Sequence, residues 1–327
     1  MRFKQRALNW FLFPWRIQKL AKLIKDKPDA VLCSSPSPIV FLGAQRLAKK
    51  FKAKLVFEVR NIWPLTLTEV GGYSPKHPFI RFMQWVENKA YRDSDRVVSN
   101  LKNSVEHMVE HGLNRDKFTW VANGFSLDEV NQKVPLSKEA EQQLPKNKFI
   151  VGYTGTLGVA NSMDILLKAA ELLKDNADIA FVLVGRGKEK ETLQAQAHEK
   201  NLTNVTFIDP IPKVQIQAML HKLDACYIGW LKDDLYRFGI GANKIPEYLY
   251  SGKPVIHAYS GECDPIAEFQ AGICTEAENP RALAAAILQL YQMPEEQRQQ
   301  MGENGRKAAL EEYEYGSLAK KLAEVLS

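Results

Sequence analysis

The 327-residue chain has no long run of apolar residues. A membrane-spanning helix needs about 18 or more of them in succession, so the sequence predicts no transmembrane helix. The apolar stretch 10–15 (WFLFPW) is far shorter, and no small-residue cleavage site follows it, so a signal peptide is not predicted either. We therefore expect a cytoplasmic protein.

Cysteine is also scarce. The four cysteines are Cys33, Cys226, Cys263 and Cys274. No two of them have CxxC spacing, which argues against a structural zinc site or a disulfide framework and fits a reducing compartment. His107 and His111 lie four residues apart, but neither an HExxH pattern nor a third ligand accompanies them, so a surface histidine pair is expected and no metal site is predicted.

Positive charge is concentrated near the N-terminus. Residues 1–60 contain fourteen lysines and arginines against three acidic residues, whereas the whole chain has a net charge of only +6. Apolar and basic side chains alternate there: Phe11, Leu12, Phe13, Trp15, Ile17, Leu20 and Ile24 with Arg16, Lys19, Lys22 and Lys25. The pattern is typical of a surface on anionic lipid headgroups, or of a solvated helix whose apolar side faces its own domain. No nucleic-acid motif accompanies the charge, so no nucleic-acid partner is predicted.

Short apolar runs alternate with amphipathic stretches, which indicates a parallel α/β fold. Four strands are predicted first, at 30–33, 55–59, 96–99 and 118–121, and six more follow at 149–153, 179–184, 205–208, 225–228, 254–257 and 272–274. A chain of this length supports two hydrophobic cores. We predict two doubly wound domains, residues 1–130 and 149–300, joined by a polar linker at 131–148 and followed by C-terminal helices at 301–327 that cross back to the first domain.

The segment 238–256 (FGIGANKIPEYLYSGKPVI) is the most informative part of the chain. Gly239 and Gly241 allow a backbone to approach a ligand closely. Asn243 can cap a helix predicted over residues 244–250, whose first amides attract anions. The segment therefore predicts a ligand loop that leads into a helix at a phosphate site.

Lys244 and Glu247 are the candidate ligand groups in this segment. Being three residues apart, they share one face of the predicted helix. This arrangement suits a cation on a phosphate and a carboxylate on sugar hydroxyls. The alternative for Lys244 is an exposed helix lysine.

Five further glycine- or asparagine-containing motifs occur along the chain. They are 61–64 (NIWP), 123–124 (NG), 152–158 (GYTGTLG), 184–187 (VGRG) and 302–306 (GENGR). In this order and spacing, together with segment 238–256, they resemble family 4 retaining glycosyltransferases. The resemblance implies the GT-B fold, in which two Rossmann-like domains face a cleft, here with an incomplete N-terminal domain.

Among such enzymes the chain is similar to bacterial transferases of O-antigen, capsule and fucosamine-type polysaccharides. The resemblance implies a nucleotide-diphosphate sugar as donor, with a UDP-linked deoxy or N-acetylated sugar expected, and a lipid-linked or saccharide acceptor at the inner face of the membrane. It implies transfer without an obligatory metal or other cofactor. A GT-B nucleotide-sugar epimerase and a non-catalytic nucleotide-sugar-binding partner in polysaccharide assembly are the two alternatives.

The donor-binding residues follow from matching the family motifs onto this sequence. They are Gly155, Thr156, Leu157, Gly158, Arg186, Ile211, Gly239, Ile240, Gly241, Ala242, Asn243, Lys244, Glu247 and Glu262. Glu247 matches the second glutamate of the family's E-x7-E pattern, which contacts the nucleoside ribose, whereas Gly239 stands at the place of the first.

Some of these residues have a local chemical reason beside the resemblance, and others have a simple structural alternative. The Thr156 hydroxyl and the amides around Leu157 and Gly158 could cradle a phosphate. Arg186 follows a strand, where it is either a cation near the ligand or a simple turn residue. Glu262 is either a donor-side group or part of a polar turn.

The candidate catalytic residues are Glu58, Arg60 and Lys244. Arg60 lies near a position where many relatives carry a histidine, and because arginine stays protonated it can hold a phosphate but cannot act as a base. Asn61 stands where similar transferases have an aspartate, so Glu58 could take the acidic role. The alternative for Glu58 is a strand residue neutralised by a basic neighbour.

Overall fold

The computed structural model describes residues 3–35, 37–132 and 134–327, and the side chains of residues 3–8, 11 and 20 lie outside that description. The side chains of Phe11 and Leu20, which belong to the predicted apolar and basic pattern, lie outside the described part of the chain. The described chain forms two compact units. The first contains the residues up to Asn123, Asp234–Gly241 and Leu318–Ser327, and the second contains Gly124–Asp233 and Ala242–Ser317.

The first unit is built on a parallel four-stranded sheet in the order β1-β2-β3-β4. Its strands are β1 (Ala30–Ser34), β2 (Lys54–Val59), β3 (Arg96–Ser99) and β4 (Phe118–Trp120). Its helices are α1 (Phe3–Leu20), α2 (Val40–Phe51), α3 (Leu65–Glu69), α4 (Pro78–Asp93) and α5 (Val105–Glu110). Apolar side chains of the strands and of α2 and α4 form a core on one face of the sheet. On the other face Val56 and Val98 pack against Val325 near the C-terminus.

The second unit holds a parallel six-stranded sheet in the order β10-β9-β8-β5-β6-β7. Its strands are β5 (Phe149–Thr156), β6 (Ile179–Arg186), β7 (Val205–Ile208), β8 (Ala225–Gly229), β9 (Val255–Ala258) and β10 (Gly272–Thr275). The helices are α6 (Leu127–Val130), α7 (Lys138–Gln142), α8 (Met163–Leu172), α9 (Lys190–Glu199), α10 (Ile216–His221), α11 (Lys244–Tyr250), α12 (Pro265–Glu268), α13 (Pro280–Gln292), α14 (Glu295–Ala308) and α15 (Tyr315–Leu326), which runs on into the first unit. The core lies mainly between the sheet and helices α8, α9 and α13.

The predicted α/β class with two parallel sheets is confirmed. Each of the ten predicted strands is present, and its ends lie within three residues of the predicted ones. The helix predicted over residues 244–250 has those bounds. Near the C-terminus, α14 ends at Ala308 and a turn of π-helix, Ala309–Tyr313, precedes α15.

The unit boundaries differ from the predicted domain boundaries. Segment 131–148, predicted as a linker, belongs to the second unit. Its Ala140 and Leu144 are buried, and the Gln215 side chain donates a hydrogen bond to the Pro135 carbonyl at 2.8 Å. Only from Leu318 onward does the C-terminal helix belong to the first unit. Among the residues described, no helix is both long and apolar enough to cross a membrane.

Candidate active site

The strand order of the second sheet indicates where a ligand binds. β5 and β8 are central neighbours, and the chain runs outward from them to opposite edges of the sheet. In doubly wound sheets, ligands bind at the carboxyl ends of the strands beside this point of reversal. The end of β5, Gly155 and Thr156, is exposed there.

Glycines bring the ends of β5 and β6 close together. Gly155 pairs with Gly185 in the parallel register, and the two have φ values of +145° and +148°. A Cβ placed on Gly185 would lie 1.9 Å from the Gly155 carbonyl oxygen, so no larger residue fits. The motifs 152–158 and 184–187 therefore set a close backbone contact at the edge of the candidate site.

Lys244, the first residue of α11, extends to the end of β5. Its ammonium donates a hydrogen bond to the Tyr153 hydroxyl at 2.7 Å and to Asn161 Oδ1 at 3.4 Å, and it lies 4.1 Å from the centre of the Tyr153 ring. Burial lowers the pKa of Lys244 from 10.5 to about 7. Among the described residues no carboxylate forms an ion pair with it. An anion entering here would find a cation that is not yet neutralised.

Three neighbouring side chains fix this arrangement. The Tyr153 hydroxyl and the Asn161 amide both donate to the Thr156 carbonyl, at 2.8 Å and 3.0 Å. Buried Tyr248 of α11 joins the helix to β5, because its hydroxyl accepts from the Thr154 amide at 2.7 Å and donates to the Thr154 carbonyl at 3.2 Å. The position of Lys244 therefore depends on hydrogen bonds that connect α11 to β5.

Glu247 does not share its environment with Lys244. Its carboxylate forms an ion pair with Lys213, which lies in the turn after β7, while Lys244 extends to Tyr153. The Glu247 side chain is only 16% exposed, against 52% for Lys213. The two residues lie three positions apart on α11, but their side chains have different partners.

The glycine segment before α11 belongs to the first unit. A Cβ on Gly241 would lie 2.3 Å from the Asn100 side chain, and the Asn123 side chain donates to the Gly241 carbonyl at 2.6 Å. Gly239 is buried with φ of +89°, and Ile240 is partly exposed. At Gly241, therefore, the group that approaches the backbone closely is the Asn100 side chain of the protein itself.

Asn243 is exposed, and its side chain makes no capping hydrogen bond, so the predicted cap of α11 is wrong. The backbone of Asn243 is already helical, with φ of −63° and ψ of −22°. A capping side chain needs an extended backbone to fold back onto the first amides. Ala242, the residue before it, is partly exposed.

The phosphate-binding group expected after β5, the Thr156 hydroxyl with the amides around Leu157 and Gly158, is only partly available. The Leu157 amide donates to the Arg186 carbonyl at 2.9 Å, and the Leu157 side chain is fully buried in the core. That amide cannot hold a phosphate as predicted. Thr156 is exposed and Gly158 is partly exposed, while the Arg186 side chain at the end of β6 is exposed.

Two more predicted donor residues lie in turns of the second unit. Ile211, after β7, is partly exposed. Glu262 is exposed, and its carbonyl accepts from the Tyr259 hydroxyl at 3.0 Å. No hydrogen bond or ion pair joins either of them to Lys244 among the described residues.

Glu58 and Arg60 lie at the end of β2 in the first unit. The Glu58 carbonyl accepts from the Ser35 amide and the Arg60 amide donates to the Ser35 hydroxyl, both at 3.0 Å. The Glu58 side chain is partly buried, and that of Arg60 is exposed. Glu58 and Arg60 make these contacts through their main-chain atoms. Neither side chain forms an ion pair among the described residues, so both can contact a ligand.

The following loop, 61–64, is held by a buried carboxyl group. Trp63 precedes a cis peptide bond to Pro64, and its backbone amide donates to Glu87. Glu87 also accepts from the Tyr91 hydroxyl and the Gln84 amide, each at 2.8 Å. Burial raises the pKa of Glu87 to about 8. Sequence analysis did not identify Glu87, because its position on α4 is that of an ordinary polar helix residue.

The sequence matches two protein-family models. One described as glycosyl transferases group 1 matches residues 137–308, more than half of the chain. The chain belongs to this family. A second model, described as glycosyltransferase family 4, matches residues 2–129. The resemblance drawn from the motifs is therefore confirmed, and the protein is a glycosyltransferase.

Individual relatives agree with this assignment. This chain is 23% identical over 277 residues to WcaI of Escherichia coli (strain K12), which is provisionally described as a colanic acid biosynthesis glycosyl transferase. The match covers 82% of this chain and 67% of WcaI. Anabaena Alr3699/HepE in complex with UDP has a TM-score of 0.73 at 19% identity, over 96% of this chain and 81% of HepE. OtsA in its apo form has a TM-score of 0.74 at 11% identity, over 99% and 79%. The structural matches establish the GT-B type of fold.

Sequence analysis missed Tyr153, Asn161, Tyr248 and Lys213, which contact the candidate residues Lys244 and Glu247 or hold α11 against β5. Tyr153 lies within the motif 152–158 and Asn161 lies three residues after it, but nothing local indicates that they meet Lys244, which follows more than 80 residues later. Lys213 gave one usable signal, since it follows β7 at the carboxyl edge of the sheet.

Proposed function

We propose that this glycosyltransferase moves a sugar from a nucleotide diphosphate to a lipid-linked or saccharide acceptor, with retention of configuration, in surface polysaccharide synthesis. The main support is the partly buried Lys244 ammonium at the end of β5, which no described carboxylate neutralises. A diphosphate would supply the negative charge that balances this ammonium.

The relatives support a uridine nucleotide as the donor. HepE has been solved in complex with UDP and also with UDP-glucose. The UDP-glucose complex matches this chain with a TM-score of 0.69. WcaI is provisionally described as acting in colanic acid biosynthesis. By analogy we propose a UDP-linked sugar here, deoxy or N-acetylated, and a role in an O-antigen, capsule or related polysaccharide.

In the proposed reaction, Lys244 stabilises the diphosphate as it leaves. Negative charge grows on the phosphate oxygens while the glycosidic bond breaks, and a preorganised cation in a partly dry site lowers that barrier. The acceptor oxygen bonds to the anomeric carbon on the face from which the phosphate leaves, and the departing phosphate takes the acceptor proton, so neither a metal nor another cofactor is required. Glu247 holds the ribose, and Glu58 and Arg60 position the acceptor.

The N-terminal helix supports a place at an anionic membrane surface. Phe13 and Trp15 are 56% and 57% exposed, and Leu23 just after the helix is 74% exposed. Lys19 lies 4.4 Å from the Trp15 ring, and Arg16 is exposed beside them. Interfacial helices combine aromatic and basic side chains in this way. We propose that the enzyme is cytoplasmic and rests on the inner face of the membrane.

A transfer assay tests this function. Purified enzyme is incubated with radiolabelled UDP-sugars and lipid extracted from bacterial membranes, and the products are analysed by chromatography and NMR. We expect label in the lipid fraction with an anomeric configuration that matches the donor. Conversion of the free UDP-sugar without an acceptor would instead identify an epimerase, and UDP binding without any turnover would identify a non-catalytic partner.

The affinity for UDP should fall as the pH rises above about 7. The pKa of Lys244 is about 7 in the free protein, and a bound diphosphate favours the protonated form. Binding above pH 7 must therefore take up a proton, which costs up to about tenfold in affinity per pH unit. Phosphate groups have already lost their last proton there, since that pKa is about 6. Calorimetry between pH 6.5 and 9.5 measures the slope.

Lys244→Arg is the matched control for this titration. Its guanidinium stays charged over the whole range, so any UDP affinity that it retains should not change with pH. If the native enzyme bound UDP equally well at pH 6.5 and pH 9, Lys244 would not be the group that receives the diphosphate.

A further inference from the structure

A cluster of three side chains that the proposed transfer does not use lies on α5 and the residue after it. His107, Glu110 and His111 each offer a ligand atom, and these atoms lie within 4.8 Å of one another. Spacings of three and four residues place them on one helical face. The sequence predicted a histidine pair without a third ligand, and that is wrong, because Glu110 lies beside both rings.

His111 is already oriented for ligation. Its Nδ1 lies 2.8 Å from the His107 carbonyl oxygen. A carbonyl only accepts, so Nδ1 carries a proton, and Nε2 is the ring nitrogen left to bind a metal ion. A backbone carbonyl that fixes the tautomer in this way is a common support for histidine ligands in metal sites.

His107 is held close to the same point. Its ring lies 4.2 Å from that of His111 and 5.2 Å from that of Phe238, and its buried Nε2 has no hydrogen-bond partner among the described residues.

The nearest charges allow a cation to bind. The Arg237 guanidinium donates to the Glu69 carboxylate at 2.8 Å and 3.3 Å, so its charge is largely neutralised. The Glu110 carboxylate is exposed and has no ion pair among the described residues. It is free to turn toward a metal ion and to supply the negative charge that the two imidazoles lack.

We infer that His107, Glu110 and His111 bind one divalent transition-metal ion, with Zn²⁺ the best fit. Two imidazoles and a carboxylate match the preferences of Zn²⁺, whereas Mg²⁺ prefers oxygen ligands. Zinc ligands about 2.0–2.2 Å from the metal lie roughly 3.3–3.6 Å apart, so the side chains must close in by about 1 Å through rotamer changes. A water would fill the fourth position.

A second cluster, His257, Asp264 and Cys274, lacks this freedom. His257 Nδ1 lies 2.8 Å from Asp264 Oδ1, and its Nε2 accepts from the Trp230 indole at 2.9 Å. Both ring nitrogens are thus occupied in the fully buried ring. The site on α5 differs because it has an unpartnered nitrogen and a free carboxylate.

Zinc titration of the purified protein tests the inference. After treatment with a chelator and dialysis, calorimetry with ZnCl₂ at pH 7.5 should show one equivalent bound with a dissociation constant of about 10 μM or lower. Zn²⁺ should raise the melting temperature, because a ligand that binds only the native state stabilises it. Mg²⁺ should do neither.

Variants locate the site. His111→Ala and Glu110→Gln should each weaken zinc binding about tenfold or more and reduce the thermal shift, and Glu110 is exposed enough for its variant to fold normally. His198→Ala and Cys274→Ser, outside the cluster, should bind as the native protein does. No binding by the native protein at 1 mM ZnCl₂ (about a hundredfold above the expected constant), or equal binding by the α5 variants, would overturn the inference.

Discussion

Replacing Lys244 by methionine should lower the rate of sugar transfer about 100-fold or more, since losing one preorganised group that stabilises developing charge costs roughly 100- to 1000-fold. Methionine keeps much of the length and removes only the ammonium. The measurement is the initial rate of labelled-lipid formation at saturating donor, with UDP affinity determined separately by calorimetry.

The same substitution should leave stability unchanged or improve it. In the native protein the ammonium is partly buried, its pKa is lowered to about 7 by that burial, and it has two neutral partners, Tyr153 and Asn161. Removing a poorly neutralised charge from such a place relieves a desolvation cost. A residue that costs stability and supplies rate is expected at an active site, so thermal melting of Lys244→Met should accompany the rate assay.

Lys168→Met is the matched control. Lys168 lies in the same unit and forms an ordinary surface ion pair with Asp164 at 3.1 Å on α8. Exposed pairs of this kind contribute at most about 1 kcal/mol, so transfer and melting should both stay close to native. If Lys244→Met kept more than about a third of the native rate, a loss far below the expected hundredfold, the assignment of the leaving-group cation would be wrong.

Sequence alone predicted the strands well because buried parallel strands are nearly continuous apolar runs bounded by glycine and polar turns. It also singled out Lys244 as a candidate ligand group, and it found the glycines at the ends of β5 and β6. These features are local: a strand, a turn, or a helix start that a few adjacent residues determine.

Most of the features that sequence analysis missed depend on contacts between residues far apart in the chain. Glu247 binds Lys213, 34 residues away, and Gly241 fits against Asn100, 141 positions earlier. The assignment of Asp234–Gly241 to the first unit likewise follows from packing. Spacing rules describe which side chains share a face, but they do not determine which partner each one meets.

The closeness of β5 and β6 leads to the second large effect, which concerns stability. Gly185→Ala should lower the free energy of unfolding of the second unit by about 3 kcal/mol or more. The added Cβ would lie 1.9 Å from the Gly155 carbonyl oxygen and 3.0 Å from its carbon, both backbone atoms that cannot turn aside. The φ of +148° adds strain of about 1–3 kcal/mol for any residue with a side chain.

This loss should be visible as a fall of about 6 °C or more in the melting temperature. Gly158→Ala is the control in the neighbouring turn, because its φ of −149° is ordinary and its nearest contact would be the Thr156 methyl group at 3.7 Å. That variant should stay within about 0.5 kcal/mol of the native protein. Equal melting of the two variants would show that β5 and β6 do not meet as described.

Gly185→Ala should also weaken UDP binding at temperatures where the variant is still folded. To admit the methyl group, β6 must move away from Gly155, and Gly155 adjoins the site: a Cβ there would lie 3.2 Å from the Lys244 ammonium and 3.1 Å from the Tyr153 hydroxyl. A displaced β5 end would therefore move the partners that hold Lys244. Calorimetry at 15 °C, with circular dichroism to verify folding, separates this local loss of affinity from unfolding.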